Sequence, residues 1–186
     1  MSELAKVQHK FLNHKINPET ETLIIGTFNP KADSNKDTDF FYSSAPNNLW
    51  ALLPAAFGKE SLKGAGLEIK LSLMQQKRID FIDLISEVQV EKGKEGSRDD
   101  TYIDNKVLKW RDMIDKIDKL RDLKRVCFTR TSFGRIPNIK IRIEETSRYL
   151  KERRDIDLKC LITPVGTGRR AGPPRQQEVW QKFLCS

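Results

Sequence analysis

The sequence reads as an α/β protein, a layered domain built on a mostly parallel sheet. Four short apolar runs recur along the 186 residues, and stretches with helical spacing separate them. Two of the runs, Leu23-Ile24-Ile25-Gly26-Thr27-Phe28 and Val126-Cys127-Phe128-Thr129, are nearly unbroken in apolar residues. Strands covered on both faces of a parallel sheet have this pattern, and strands that alternate with helices require crossover connections.

In chain order, residues 2–13 carry Leu4, Val7, Phe11 and Leu12 at helical spacing and predict a short N-terminal helix. The first strand covers 23–28. A helix is expected over 46–57, with Leu49, Trp50, Leu53 and Phe57 on one side, and another over 61–75. The second strand covers 79–85, Ile-Asp-Phe-Ile-Asp-Leu-Ile. The polar, glycine-containing stretch 91–100 reads as a surface loop. Residues 105–121 space Val107, Leu108, Trp110, Met113, Ile114, Ile117 and Leu120 as a helix would. The third strand is 126–129. Pro137 opens a helix over 138–153, since proline suits a first turn. The fourth strand covers 158–163, and a helix over 175–184 ends the chain with Val179, Trp180, Phe183 and Leu184 inward. No linker divides the chain, so one domain over 1–186 is expected, with its core at about 20–184.

Composition narrows the function. Hydrophobic residues make up 38% and charged residues 32%, and no apolar run is long enough to cross a membrane. The N-terminus lacks the apolar stretch of a signal peptide, so a cytoplasmic protein is expected. The three cysteines are widely spaced with no C-x-x-C pair, which signals neither zinc nor an iron–sulfur cluster. Cys127 and Cys160 read as small core residues. A net charge of +8 favours a polyanionic partner such as nucleic acid. The dinucleotide fingerprint, the P-loop and H-E-x-x-H are all absent.

Ligands of open α/β sheets bind beyond the carboxyl ends of the strands, and the unusual residues of this chain fall there. Gly26-Thr27-Phe28-Asn29-Pro30 follows the first strand, Asp83 ends the second, and Thr129-Arg130-Thr131-Ser132 follows the third. Thr163-Pro164-Val165-Gly166-Thr167-Gly168-Arg169-Arg170 follows the fourth. The segment DFFYSSAPNNLW at 39–50 adds Phe40, Phe41 and Tyr42, which could form a platform for a base, and the amides of Asn47 and Asn48. Each residue also has a plainer role. Asn29-Pro30 suits a turn, Asn47 suits a helix cap, Trp50 suits the core, Arg169 and Arg170 suit solvent, and Asp83 suits a cap or ion pair. His9 and His14 fall on the expected N-terminal helix, with no catalytic role.

The order G-T-F-N-P, F-F-Y-S-S-A-P-N-N-L-W, T-P-V-G-T-G-R-R resembles the uracil-DNA glycosylase superfamily, nearest its mismatch-specific uracil and hypoxanthine branches. Those proteins have a motif of G-x-x-P-G or G-x-N-P-G type after the first strand, an H-P-x-N-x-F-W-like segment and a late S/H/N-P-S motif. Asn47 and Trp50 match the middle pattern. Ile79 to Ile85 is similar to the family's second strand, and Gly96-Ser97-Arg98-Asp99 to a G-S-x-D loop. The resemblance implies a three-layer α/β/α sandwich around a four-stranded, mostly parallel sheet. It implies a DNA glycosylase that removes a deaminated base, of the uracil or hypoxanthine class, by base flipping and hydrolysis in base excision repair. Asn29 or Asn47 would hold the water. Gly26, Thr27, Phe28, Tyr42 and Thr163 would bind the base, with Tyr42 stacking on it. Lys31, Arg130 and the loop Gly166, Thr167, Gly168, Arg169, Arg170 would contact DNA. No cofactor and no metal are implied, and the expected partner is duplex DNA met by a monomer. The family usually carries its catalytic Asp or Asn where this chain has Phe28, and the late motif here has no histidine. The alternative implied is a superfamily member that binds nucleic acid without cleaving it.

Overall fold

The computed structural model describes residues 3–35, 38–165 and 173–185. Four strands form the central sheet: β2 (Thr22–Gly26), β3 (Ile79–Asp83), β6 (Arg125–Phe128) and β7 (Leu158–Cys160). Their order is β3-β2-β6-β7, and every neighbouring pair is parallel. All five residues of β2 are buried, as expected of a central strand covered on both faces.

Side chains alternate across β2, and each face has its own core. Ile24, with Phe81 and Cys127, meets helices α1 (Leu49–Ala55), α2 (Leu67–Lys77) and α6 (Pro173–Cys185). Leu23 and Ile25, with Ile82, Val126 and Phe128, meet α3 (Asp100–Ile103), α4 (Met113–Asp118) and α5 (Pro137–Arg154). The layers are therefore α/β/α around a four-stranded parallel sheet, as the sequence predicts. Pro137 opens α5, and a cap comes from afar: Asp104 accepts the Ile139 N–H at 2.7 Å and the Asn138 N–H at 3.1 Å.

A second sheet departs from expectation. β1 (Leu4–Gln8), β4 (Ile85–Glu91) and β5 (Val107–Trp110) form an antiparallel sheet in the order β1-β4-β5. The expected N-terminal helix is thus a strand, paired with β4 from Leu4↔Glu91 to Gln8↔Glu87. The helical spacing of Leu4 and Val7 is incidental, for Leu4 is 52% exposed and Val7 3%. A run this short fits either period, and the open edge of β4 decides it. The run 79–85 divides at Leu84, where the chain leaves one sheet and enters the other. The expected helix over 105–121 divides as well, into β5 and α4, because Asp112 caps α4 by accepting the Asp115 N–H at 2.9 Å. Cys160 lies exposed on the edge strand β7, whereas Cys127 is buried as expected. Among the described residues no helix is long and apolar enough to cross a membrane.

Candidate active site

The parallel register sets Gly26 beside Asp83 at the carboxyl ends of β2 and β3. A Cβ on residue 26 would lie 2.3 Å from Asp83 Oδ1 and 2.6 Å from the Tyr42 hydroxyl oxygen. Glycine is thus required here by close approach, and both oxygens crowd one point above it. Asp83 is 1% exposed. Its Oδ2 accepts two hydrogen bonds, from His9 Nε2 at 2.7 Å and from Asn29 Nδ2 at 2.7 Å.

The His9 tautomer follows from its neighbours. Its Nδ1 faces the Phe11 N–H at 3.0 Å and the Arg111 Nη2 at 3.1 Å, both obligate donors. Nδ1 must therefore accept, and Nε2 carries the proton given to Asp83. The same logic orients Asn29, since only its NH₂ end can donate to a carboxylate oxygen. Its Oδ1 is left as the acceptor. The backbone is held by the Lys10 N–H donating to the Asn29 carbonyl at 2.7 Å and by the bridge His9↔Pro30.

Tyr42 reaches this floor from the loop before α1, with φ of 57° in the left-handed region. An aromatic residue there stores backbone strain that the surroundings must hold. Its ring packs 5.6 Å from that of Phe81, and its hydroxyl lies 3.2 Å from Thr129 Oγ1. Burial, with the negative charge of Asp83, pushes the phenol well above its ordinary value, so the hydroxyl keeps its proton. The loop is anchored by Lys70, 2% exposed, whose Nζ donates to both oxygens of Asp39 and to Ser43 Oγ at 2.9 Å each. Burial opposes charge on Asp39, but hydrogen bonds from Ser43 and Lys70 outweigh it and hold that carboxyl below the usual range.

A second carboxyl borders the site. Asp100 pairs with Arg130 at 2.6 Å and accepts a hydrogen bond from the Thr27 hydroxyl. Burial pushes its carboxyl up, the Arg130 charge and the two hydrogen bonds pull it back in part, and the Asp83 charge raises it further.

The expected site residues thus divide. Gly26, Thr27, Asn29, Tyr42 and Arg130 converge around Asp83 and Asp100. Asn47 and Thr163 lie instead on two segments that pair with each other beyond β7. Asn47 bridges to Val165, the Asn48 N–H donates to the Pro164 carbonyl at 2.9 Å, and Thr163 Oγ1 accepts the Val165 N–H at 3.3 Å. Asn47 Oδ1 accepts the Leu49 N–H at 2.9 Å, which fastens the start of α1. Phe28 lies in the core, its ring 5.7 Å from that of His9, and Phe40, Phe41 and Trp50 are buried as well. Lys31 is exposed beside a cleft that Lys6 and Lys10 also line. Gly166, Thr167, Gly168, Arg169 and Arg170 fall outside the described residues. Sequence reasoning missed His9, Asp100 and Arg111 as members of the group. An N-terminal strand in place of a helix was the reading that leads to His9. Among the described residues no group of three or more His, Cys, Asp or Glu is arranged to hold a metal ion.

The group combines fixed acceptors, Asp83 and the Asn29 amide oxygen, with hydroxyls on Tyr42 and Thr129. Such preorganised dipoles can hold a water and receive a polar ring edge.

No protein-family model matches the sequence, and no curated protein matches it. A solved structure does: the solution NMR structure of a candidate uracil DNA glycosylase from Methanosarcina acetivorans. The TM-score is 0.58 at 24% identity, and the match covers 91% of this chain and 91% of that one. The two chains share a fold.

Proposed function

We propose that the protein is a DNA glycosylase that removes a deaminated base by flipping it from the duplex and hydrolysing its N-glycosidic bond. The observation that carries this reading is the convergence of Asp83, Asn29 and Tyr42 over Gly26 at the carboxyl ends of β2 and β3. A fold shared with a candidate uracil DNA glycosylase and a net charge of +8 agree with it.

Cleavage builds positive charge on the sugar and negative charge on the departing base. Asn29, oriented by Asp83, offers Oδ1 to a water beneath C1′. Asp83 Oδ1 faces the positive sugar or takes the water's proton. The Tyr42 hydroxyl, held protonated by burial, donates toward the base. Deamination replaces an amine by a carbonyl, so the one hydroxyl proton that the Tyr42–Thr129 pair leaves over favours the deaminated ring over the normal one. What supports Asn29 over Asn47 as the water-holder is the commitment of Asn47 Oδ1 to the Leu49 N–H.

Duplex oligonucleotides carrying uracil, hypoxanthine or xanthine, incubated with the protein and then treated with alkali, test this. Strand breaks are expected, reduced about a hundredfold or more in Asn29→Ala and little changed in Asn47→Ala. Duplex retention in a gel shift with no breaks on any substrate overturns the enzyme and supports a binding protein.

A further inference from the structure

A cavity of about 190 Å³ lies along the free edge of β3, apart from the Gly26 floor, between the segment around residues 14–18 and α4. Five of its lining residues are basic, His14, Lys15, Arg111, Lys116 and Lys119, and none is acidic. The rest of the lining is apolar, with Ile82 and Leu120 among it, and an apolar wall strengthens any charge interaction made against it.

Two features set this apart from a solvated run of lysines. Arg111 is partly buried, and burial lowers its guanidinium from the ordinary value, with Asp83 opposing. Its Nη atoms reach the carbonyls of Leu12 and Phe11 and the ring of His9, but its buried Nε has no hydrogen-bond partner among the described residues. A buried N–H left in this state costs free energy until an acceptor arrives. The carboxylates that pair with these cations are not part of the lining: Asp80 holds His14 at 2.7 Å, and Asp115 holds Lys119 at 2.7 Å and Lys116 at 3.4 Å.

We propose that this cavity is a binding site for a small oxyanion of the phosphate class, with Arg111 at its base and Lys15, Lys116 and Lys119 around its mouth. It shares Arg111, which meets His9, with the group around Asp83, but it does not depend on the glycosylase reading, since it uses neither Asp83, Asn29 nor Tyr42. The phosphate could be free in solution or part of a nucleic-acid backbone, and the chemistry of the site is the same for both.

Titration of the ¹⁵N-labelled protein with inorganic phosphate at constant ionic strength is the test. Saturable shifts are expected at the amides of residues 14–16 and 111–120. The double variant Lys116→Ala/Lys119→Ala, whose exposed side chains leave the fold intact, is expected to weaken that binding roughly tenfold. A thermal melt of the variant checks that it is folded. Absence of saturable shifts in the wild type, or binding unchanged in the folded variant, overturns the proposal. A duplex gel shift over a range of salt separates the sources. A backbone phosphate makes the variant bind duplex less tightly, with a salt slope lower by about two. A free phosphate leaves duplex affinity unchanged while phosphate binding falls.

Discussion

Two histidine–aspartate pairs sit on β3, and they differ in one respect. At the amino half, Asp80 Oδ1 meets His14 Nε2 at 2.7 Å and the Phe81 N–H at 2.7 Å, while Oδ2 accepts the Asn17 N–H at 2.9 Å. At the carboxyl end, Asp83 Oδ2 takes both His9 and Asn29, and Oδ1 turns toward Gly26 and Tyr42. In the first pair both carboxylate oxygens are spent on nearby chain, so it works as a latch that fastens the N-terminal segment over the sheet edge. In the second an acceptor is kept for the crevice. Residue types do not distinguish the two; the use of the second oxygen does.

The largest expected effect separates the pairs directly. Asp83→Ala should lower single-turnover cleavage about a hundredfold or more. Asp80→Ala should leave the rate of the folded protein nearly unchanged while costing ~1–3 kcal/mol in urea unfolding, since His14 and the N–H groups of Asn17 and Phe81 lose their acceptor. Equal rate losses in both variants would erase the distinction. Next comes Gly26→Ala. Its added Cβ, 2.3 Å from Asp83 Oδ1, must displace the carboxylate or Tyr42, costing ~1–3 kcal/mol in the same assay and most of the activity. Lys70→Met should be milder, at ~1–2 kcal/mol, because it releases Asp39 and Ser43 and loosens the Tyr42 loop. The loss should show in KM as well as in rate.

The smallest effect is a pH dependence confined to the Asp83 end. The Asp100 carboxyl is raised from its ordinary 3.8, first by burial, so the folded protein holds that proton more tightly than the unfolded chain. Its contribution is most favourable below the unfolded value and declines as pH rises through the interval above 3.8. The urea midpoint of the wild type, taken relative to that of Asp100→Asn, should fall with pH across that interval, because carboxyls held below their ordinary values, such as Asp39 and Glu91, contribute equally to both proteins. Asp100→Asn should flatten this component, and an unchanged slope would remove Asp100 from the account.

Much of this was legible in the chain. The runs at 23–28 and 126–129 announced β2 and β6 because a strand buried on both faces leaves an unbroken apolar signature. The crevice rule then pointed to Gly26, Asn29, Tyr42 and Arg130 before any geometry was known. The small sheet escaped because β1 and β5 are short, partly exposed runs that fit helical spacing as well as alternation, and β4 follows directly on the run read as the second strand. His9 escaped with it. A histidine on an expected helix carries no sign that it will meet an aspartate 74 positions later. Asn47 matched a motif, yet its side-chain oxygen serves α1, a choice set by where the Leu49 N–H lies.

Local pattern, then, was enough for the layers, the four parallel strands and the edge of the sheet where chemistry belongs, since burial period and strand-end composition are properties of neighbouring residues. Long-range contact alone settled which oxygen of which aspartate is spent. That depends on donors brought from residues 9, 14, 17 and 29 to a single strand, and hydrogen bonds over such separations exist only once the chain has closed on itself.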